Sequence, residues 1–180
     1  MPVQQSKDYL IENIVFRLSI HGAFQHNSVY CKKLSKKENK TFKDYLRKQL
    51  SKRLSLILAK PNYSDQNHYR SIINFSEKVS SKFSSFLNKG EFNIGTAQKL
   101  LNLYWKGNWV FKKGISSPIH CPFDGIIIGK LPKHVRYIRW TKMNDIEEYK
   151  LLVAAAKEKS KGKNLGQWEL ITYNQSNFMA

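Results

Sequence analysis

Apolar residues recur every three or four positions along most of the chain, which is the spacing of amphipathic helices. Before residue 90 the pattern predicts three helices, over residues 7–24, 39–60 and 64–87. The second begins near a cap-like Thr41, and the turn-forming sequence PNYSD separates it from the third. Residues 23–40 are less regular and are predicted to form a connecting segment.

Four further helices are predicted after the break NKGEFNIG. They cover residues 93–109, about 124–131, 141–159 and 165–174, with Thr141 or Asn144 as the cap of the third. The short apolar runs WVF and GIIIGKL are compatible with strands, but both stand beside helical patterns. We therefore expect an all-α fold of six to eight helices with little or no sheet.

Composition supports a folded core. Of the 180 residues, 41% are hydrophobic and 13% are aromatic, which is sufficient for one domain over residues 1–180. No apolar run reaches about 18 residues, so no membrane span is expected. The first residues lack a basic start followed by an apolar core, so we expect no signal peptide and a cytoplasmic protein.

Charge is the strongest compositional signal. There are 31 Lys and Arg residues against 13 Asp and Glu, which gives a formal net charge of +18. Such an excess indicates a polyanionic partner, with nucleic acid ahead of an anionic membrane surface. Acidic residues are too scarce, and too poorly spaced, to predict the paired carboxylates of a two-metal nuclease.

The two cysteines do not form a metal-binding pattern. Cys31 and Cys121 lie far apart, and the adjacent His120 adds only one further ligand type. We therefore expect two free thiols in a reducing compartment, and no metal or cofactor.

The helix predicted over residues 93–109 has two different faces. Rotation of about 100° per residue places its apolar side chains on one stripe, which is the expected core face. The same rotation brings Lys99, Asn102 and Lys106 together on the other side, outside the core. This side is interpreted either as a solvated face or as the wall of a cleft. In a cleft, the positive charge of Lys106 would lower the pKa of Lys99, as an amine nucleophile requires.

Three side chains of this helix suit base recognition, and two of them, Gln98 and Trp105, lie at the border between its faces. Gln98 offers hydrogen bonds, and Trp105 and Trp109 offer stacking surface for a nucleobase. The alternative is core packing, which we expect for Trp109 more than for Trp105.

The segment SPIHCPFDGIII places Asp124 at the start of the next helix. A carboxylate at this position accepts backbone N–H bonds and is favoured by the helix dipole, so Asp124 is predicted to be an N-cap. The same carboxylate is suited to stabilising positive charge, or to activating a nucleophile, at a sugar C1′ atom. Both roles are compatible.

The sequences NIGTAQK and PIHCPFDGIII together resemble the helix-hairpin-helix DNA glycosylases, most closely the archaeal-type 8-oxoguanine branch. The resemblance covers about residues 85–135. It implies an all-helical fold of two lobes, 1–90 and 91–180, with a helix-hairpin-helix-like element and a cleft between the lobes. It also implies that Asp124 is the catalytic aspartate and Lys99 the Schiff-base lysine. Lys106 is the competing lysine, and a monofunctional enzyme would have none.

By the same resemblance, the turn from Phe92 to Thr96 binds DNA phosphate through backbone N–H groups. The predicted DNA contacts are Asn93, Gly95, Thr96 and Lys106, and the predicted substrate contacts are Gln98, Asn102, Trp105 and Trp109. The expected function is excision of a damaged or modified base from double-stranded DNA by a monomer, in repair or in defence against modified viral DNA. The alternative is a non-enzymatic, basic helical protein that binds DNA or RNA.

Overall fold

The computed structural model describes residues 2–177, and in this part of the chain helices joined by loops form all the regular secondary structure apart from one isolated bridge between Tyr30 and Leu87. This part of the chain contains seven α-helices, α1 Val3–Phe24, α2 Lys36–Leu58, α3 Asp65–Phe83, α4 Ile94–Phe111, α5 Gly125–Lys130, α6 Ile146–Ser160 and α7 Leu165–Asn177. Single 3-10 turns lie at Asn88–Gly90, Lys133–Val135 and Trp140–Lys142. The all-α prediction is confirmed, whereas residues 1 and 178–180 of the predicted domain lie outside the described residues.

Side-chain caps explain why α2 and α6 begin at positions other than those predicted. The side chain of Ser35 accepts a hydrogen bond from the Glu38 N–H, and the Glu38 carboxylate accepts one from the Ser35 N–H. This capping box starts α2 earlier than the predicted Thr41. Asp145 caps α6, so neither Thr141 nor Asn144 is its N-cap. The runs WVF and GIIIGKL, which were compatible with strands, belong almost entirely to α4 and α5.

Helix α4 lies at the centre of the structure. It packs against α1, α2, α3 and α6 and against the turn at Trp140–Lys142. Twelve of its residues are buried, including Gln98, Lys99 and Asn102. The expectation that Lys99 lies outside the core is therefore wrong. The apolar stripe of α4 was predicted correctly, but its polar side is covered by the loop that leads to α5.

Two close approaches fix the position of α4. A Cβ atom on Gly107 would lie 2.7 Å from Val15 Cγ1, so only glycine allows α1 this close. At the other end, a Cβ atom on Gly95 would lie 1.6 Å from the main-chain oxygen of Trp140. The N–H of Gly95 donates to the Met143 oxygen at 2.9 Å. Gly95 therefore joins α4 to the segment that carries Trp140.

The division into lobes at residues 90 and 91 stays a prediction. Helix α4, from the second half, packs against three helices of the first half. Among the described residues, no helix combines the length and the apolar character needed to cross a bilayer.

Replacement of Gly95 by alanine is expected to destabilise the protein strongly. The added methyl group meets main-chain atoms, which cannot rotate away, so the expected loss is at least about 3 kcal/mol. Thermal unfolding followed by circular dichroism measures it. Gly129→Ala is the matched control, because nothing lies within 4 Å of its added Cβ atom. An equal melting temperature for the Gly95 variant and wild type would contradict this packing.

Candidate functional site

The two carboxylate oxygens of Asp124 have different partners. Oδ1 accepts hydrogen bonds from the N–H groups of Ile126 at 3.0 Å and Ile127 at 3.1 Å, so Asp124 is the N-cap of α5. Oδ2 lies 3.6 Å from Nζ of Lys99. The predicted cap is confirmed, and the cap holds the carboxylate beside the lysine.

The amine of Lys99 is enclosed. Its side chain is 8% exposed, against 21% for that of Asp124. Nζ lies 4.1 Å from the centroid of the Trp140 ring, a cation–π distance. Burial lowers the pKa of Lys99, and the negative charge of Asp124 partly opposes this. The direction agrees with the sequence-based expectation, but the cause is burial and not the charge of a second lysine.

Lys106 faces a different partner. Its Nζ lies 2.7 Å from Oε2 of Glu169 on α7, and the Glu169 side chain is only 2% exposed. Burial raises the pKa of Glu169, while the charge of Lys106 lowers it. Lys106 thus forms an ion pair with a buried carboxylate, which joins α4 to α7. Its predicted role in DNA binding stays a prediction.

Side chains of α4 hold the loop that delivers Asp124. Gln98 forms two hydrogen bonds with the main chain of Phe123: its Nε2 donates to the oxygen at 2.8 Å, and its Oε1 accepts from the N–H at 3.1 Å. Asn102 Nδ2 donates to the Cys121 oxygen at 3.1 Å. Both amides are fully buried. They fix the main chain at Cys121 and at Phe123, which immediately precedes Asp124, and their predicted contact with a base stays a prediction.

The two tryptophans differ from the expected arrangement. Trp105 is 2% exposed, and its Nε1 donates to the Ser116 oxygen at 2.9 Å. Trp109 is only partly buried. The expectation that Trp109 packs in the core more fully than Trp105 is therefore wrong. Trp105 belongs to the group of side chains that hold the loop before α5.

A chain of buried hydrogen bonds continues from Asn102 to the surface. Asn102 Nδ2 donates to the Tyr149 hydroxyl at 3.1 Å, which lies 3.0 Å from His120 Nδ1. His120 Nε2 lies 3.1 Å from Oδ1 of Asp65. On the other side, His68 Nε2 lies 2.9 Å from Asn102 Oδ1. Because Asp65 accepts, His120 donates from Nε2 and accepts the Tyr149 hydroxyl proton at Nδ1.

The burial and the hydrogen bonds of this network determine the protonation states of its members. Burial is the main factor that lowers the pKa values of both His68 and His120, so the two rings are neutral at pH 7. The hydrogen bond from His120 is the main factor that lowers the pKa of Asp65. No sequence pattern indicates this network, since its members come from four separate segments and His120 was considered only as a metal ligand, a role that the sequence does not favour.

Three N–H groups of the turn before α4 already donate hydrogen bonds within the chain. The Thr96 N–H donates to Oδ1 of Asn93, the helix cap, at 2.7 Å, and the Gly95 N–H donates to a main-chain oxygen. The Phe92 N–H donates to a serine of α3 at 2.8 Å. Phosphate binding through these three N–H groups does not fit the arrangement. Contact of Asn93, Gly95 and Thr96 with DNA stays a prediction.

A pocket of about 350 Å³ opens at this end of α4. Its wall is mostly polar and includes Asn27, Asn88, Asn93, Thr96 and Asn144. It adjoins the turn that carries Trp140, but neither Lys99 nor Asp124 lines it.

No group of three or more potential metal ligands occurs within residues 2–177. Both cysteines are free thiols; Cys31 is exposed, and Cys121, in the loop before α5, is buried. Burial raises the pKa of Cys121, so its thiol is protonated at pH 7.

Comparisons of the chain with protein-family models, curated proteins and solved structures gave no match. Its function is therefore inferred from the chemistry of its own side chains.

Stability is expected to fall as the pH is lowered below about 6.5. The folded state holds His68 and His120 with lowered pKa values, so the unfolded chain binds more protons over this range. Each histidine contributes a slope of up to about 1.4 kcal/mol per pH unit, which ends below its folded pKa. Urea unfolding between pH 7.5 and 5 measures how the free energy of unfolding changes with pH. The exposed-site variant His134→Gln should keep the slope, and His68→Gln should reduce it; equal slopes in both would contradict the interpretation.

Proposed function

We propose that the protein is a DNA glycosylase that flips a damaged or modified nucleotide and cleaves its N-glycosidic bond. The observation that carries this proposal is the enclosed Lys99 amine, 3.6 Å from an Asp124 oxygen that a helix N-terminus holds in place. Perturbed amines beside carboxylates are a feature of functional sites, because a structural role rarely requires a buried lysine.

The chemistry assigned to Lys99 is nucleophilic attack. Burial favours the neutral amine, whose nitrogen lone pair forms a bond to C1′ as the bond between C1′ and the base breaks. The base leaves with the bonding electrons and takes up a proton. The attached nitrogen then loses one proton to the Asp124 carboxylate, and its lone pair opens the sugar ring as O4′ takes up a proton, which leaves a protonated Schiff base between Lys99 and C1′. A monofunctional variant of the proposal replaces the amine by a water molecule.

The chemistry assigned to Asp124 is electrostatic. Positive charge develops on the sugar as the base departs, and Oδ2 is the carboxylate oxygen turned toward Lys99. The N–H groups of α5 occupy Oδ1 and stabilise the anion. Oδ2 can also accept the proton that Lys99 must lose before it attacks. Because the Asp124 side chain is partly exposed, a substrate can reach its carboxylate.

The remaining features of the proposal concern DNA. A net charge of +18 suits a duplex substrate. Helices α3 and α4, which pack on each other and are joined by residues 84–93, are the proposed helix-hairpin-helix-like element. In that connection Lys89 and Gly90 have positive φ values of 55° and 72°, which allow the tight turn. We propose a cytoplasmic monomer that opens a cleft at Asp124 for the flipped nucleotide.

A non-enzymatic nucleic-acid-binding protein is the second candidate. It is favoured by the complete structural use of Gln98, Asn102 and Trp105, whose polar groups are bonded within the chain. In that case Lys99 and Asp124 form only an ion pair between α4 and α5.

Asp124→Asn is expected to abolish excision and to leave folding and DNA affinity intact. Asparagine caps a helix nearly as well as aspartate, so the loss of charge is isolated from the loss of a cap. The assay is a panel of duplexes with oxidised, alkylated, deaminated and glycosylated bases, read as abasic sites after alkali treatment. Asp145→Asn, the same change at the cap of α6, should keep full activity. Tight binding with no abasic sites on any substrate would favour the second candidate.

Lys99→Met is expected to abolish the covalent adduct that borohydride traps between wild-type protein and DNA. Methionine retains the packing against Trp140 but has no amine. Lys130→Gln, at an exposed position of α5, is the control and should trap normally. An adduct that persists in Lys99→Met and disappears in Lys106→Met would transfer the role to Lys106.

A further inference from the structure

Helices α1 and α2 enclose a groove lined by cations. Its two connected depressions, of about 580 and 410 Å³, share Asp44 and Arg47, and together we define them as the α1–α2 groove. Helix α2 contributes six cationic side chains, Lys36, Lys40, Lys43, Arg47, Lys48 and Lys52. Arg17 of α1 also lines it, and Glu12 and Asp44 are its acidic residues. The groove therefore carries a large excess of positive charge.

The cations on α2 form a row. Positions 36, 40, 43 and 47 follow the spacing of one helix face, and the rise of 1.5 Å per residue makes this row about 17 Å long. That length matches about five base pairs of duplex DNA at 3.4 Å each. A regular polyanion of this length can engage several of the charges at once.

Part of the groove is held in position before any ligand binds. Arg47 Nη1 donates to Asn13 Oδ1 at 2.6 Å, and the Arg47 guanidinium lies 4.5 Å from the centroid of the Phe16 ring. Lys40 pairs with Asp44 at 2.7 Å, which removes one acidic side chain from competition. Lys36, Lys43 and Lys48 are exposed and form no ion pair within residues 2–177.

The shape of the groove selects among anionic partners. A flat bilayer cannot enter a concave surface, and membrane-surface helices insert protruding apolar side chains. The exposed Leu18 of α1 belongs instead to a depression with Val110 and Phe111 of α4. A phosphate backbone is a convex ridge of regular charge, so it fits both the shape and the spacing of the groove.

We propose that the α1–α2 groove binds the sugar–phosphate backbone of duplex DNA. This surface is separate from the Lys99–Asp124 pair, which is built by α4 and the residues around α5. The assignment deepens the proposed function, on which it rests for the choice of DNA as the partner. It also replaces the turn before α4, in which the N–H groups of Phe92, Gly95 and Thr96 are used within the chain, as the main backbone contact.

The test is a pair of charge-matched triple variants of the full chain. Lys36→Gln, Lys43→Gln and Lys48→Gln together remove three charges from the groove. Lys113→Gln, Lys159→Gln and Lys163→Gln remove the same charge from exposed positions elsewhere. Affinity for an undamaged duplex of about 20 base pairs is measured by fluorescence anisotropy from 50 to 300 mM salt.

The groove variant is expected to lose at least about tenfold in affinity near 0.1 M salt. The slope of log K against log salt should become shallower by about two to three, because each phosphate contact contributes about −0.9. The control variant should change far less. Equal losses in both variants, or none in the groove variant, would overturn the assignment. So would a groove variant that binds DNA normally but no longer binds phosphatidylserine vesicles that the wild type binds.

Excision measured at saturating DNA separates this inference from the proposed function. Groove-dependent binding without excision by the wild type would retain the groove and reject the glycosylase. Excision without groove-dependent binding would retain the glycosylase and reject the groove.

Discussion

The structure depends on hydrogen bonds from the buried polar side of α4 to the main chain of the loop before α5. Most of α4 is buried, and the polar groups in its buried part must be satisfied, because an unpaired polar group in the core costs about 1–3 kcal/mol. Gln98 and Asn102 meet this requirement by bonding to Phe123 and Cys121. The loop is therefore fixed to α4 at successive points, and Asp124 follows directly from the last of them.

This arrangement explains how an ionisable amine comes to lie in the core. Burial alone makes a lysine cation unfavourable, and the Asp124 carboxylate and the Trp140 ring compensate only in part. An apolar side chain at position 99 would pack without this electrostatic cost. The proposed catalytic role of Lys99 would account for this cost, and the same contacts that hold Asp124 also set its distance from Lys99.

The sequence was informative where a local pattern decides the outcome. Apolar periodicity located all the α-helices of the described residues, and Asp124 was recognisable as a cap because its bonds are to residues two and three positions ahead. The burial of Lys99 and Asn102 was not predictable, since both read as part of a solvent-facing side of α4 unless the covering loop is known. The pairing of Lys99 with Asp124 came from a family resemblance and not from spacing. The network through His120 and Tyr149 had no sequence signal, because tertiary packing alone brings its members together.

Lys99 is proposed to be a perturbed amine whose pKa depends on Asp124, and an NMR titration tests this most directly. With lysines labelled at 13Cε, the resonance lost in Lys99→Met identifies Lys99. The expected result is that Lys99 titrates at lower pH than the exposed lysines, and at still lower pH in Asp124→Asn, because the carboxylate favours the cation. Titration of Lys99 together with the exposed lysines, unchanged by Asp124→Asn, would contradict the assignment of this pair as an active site.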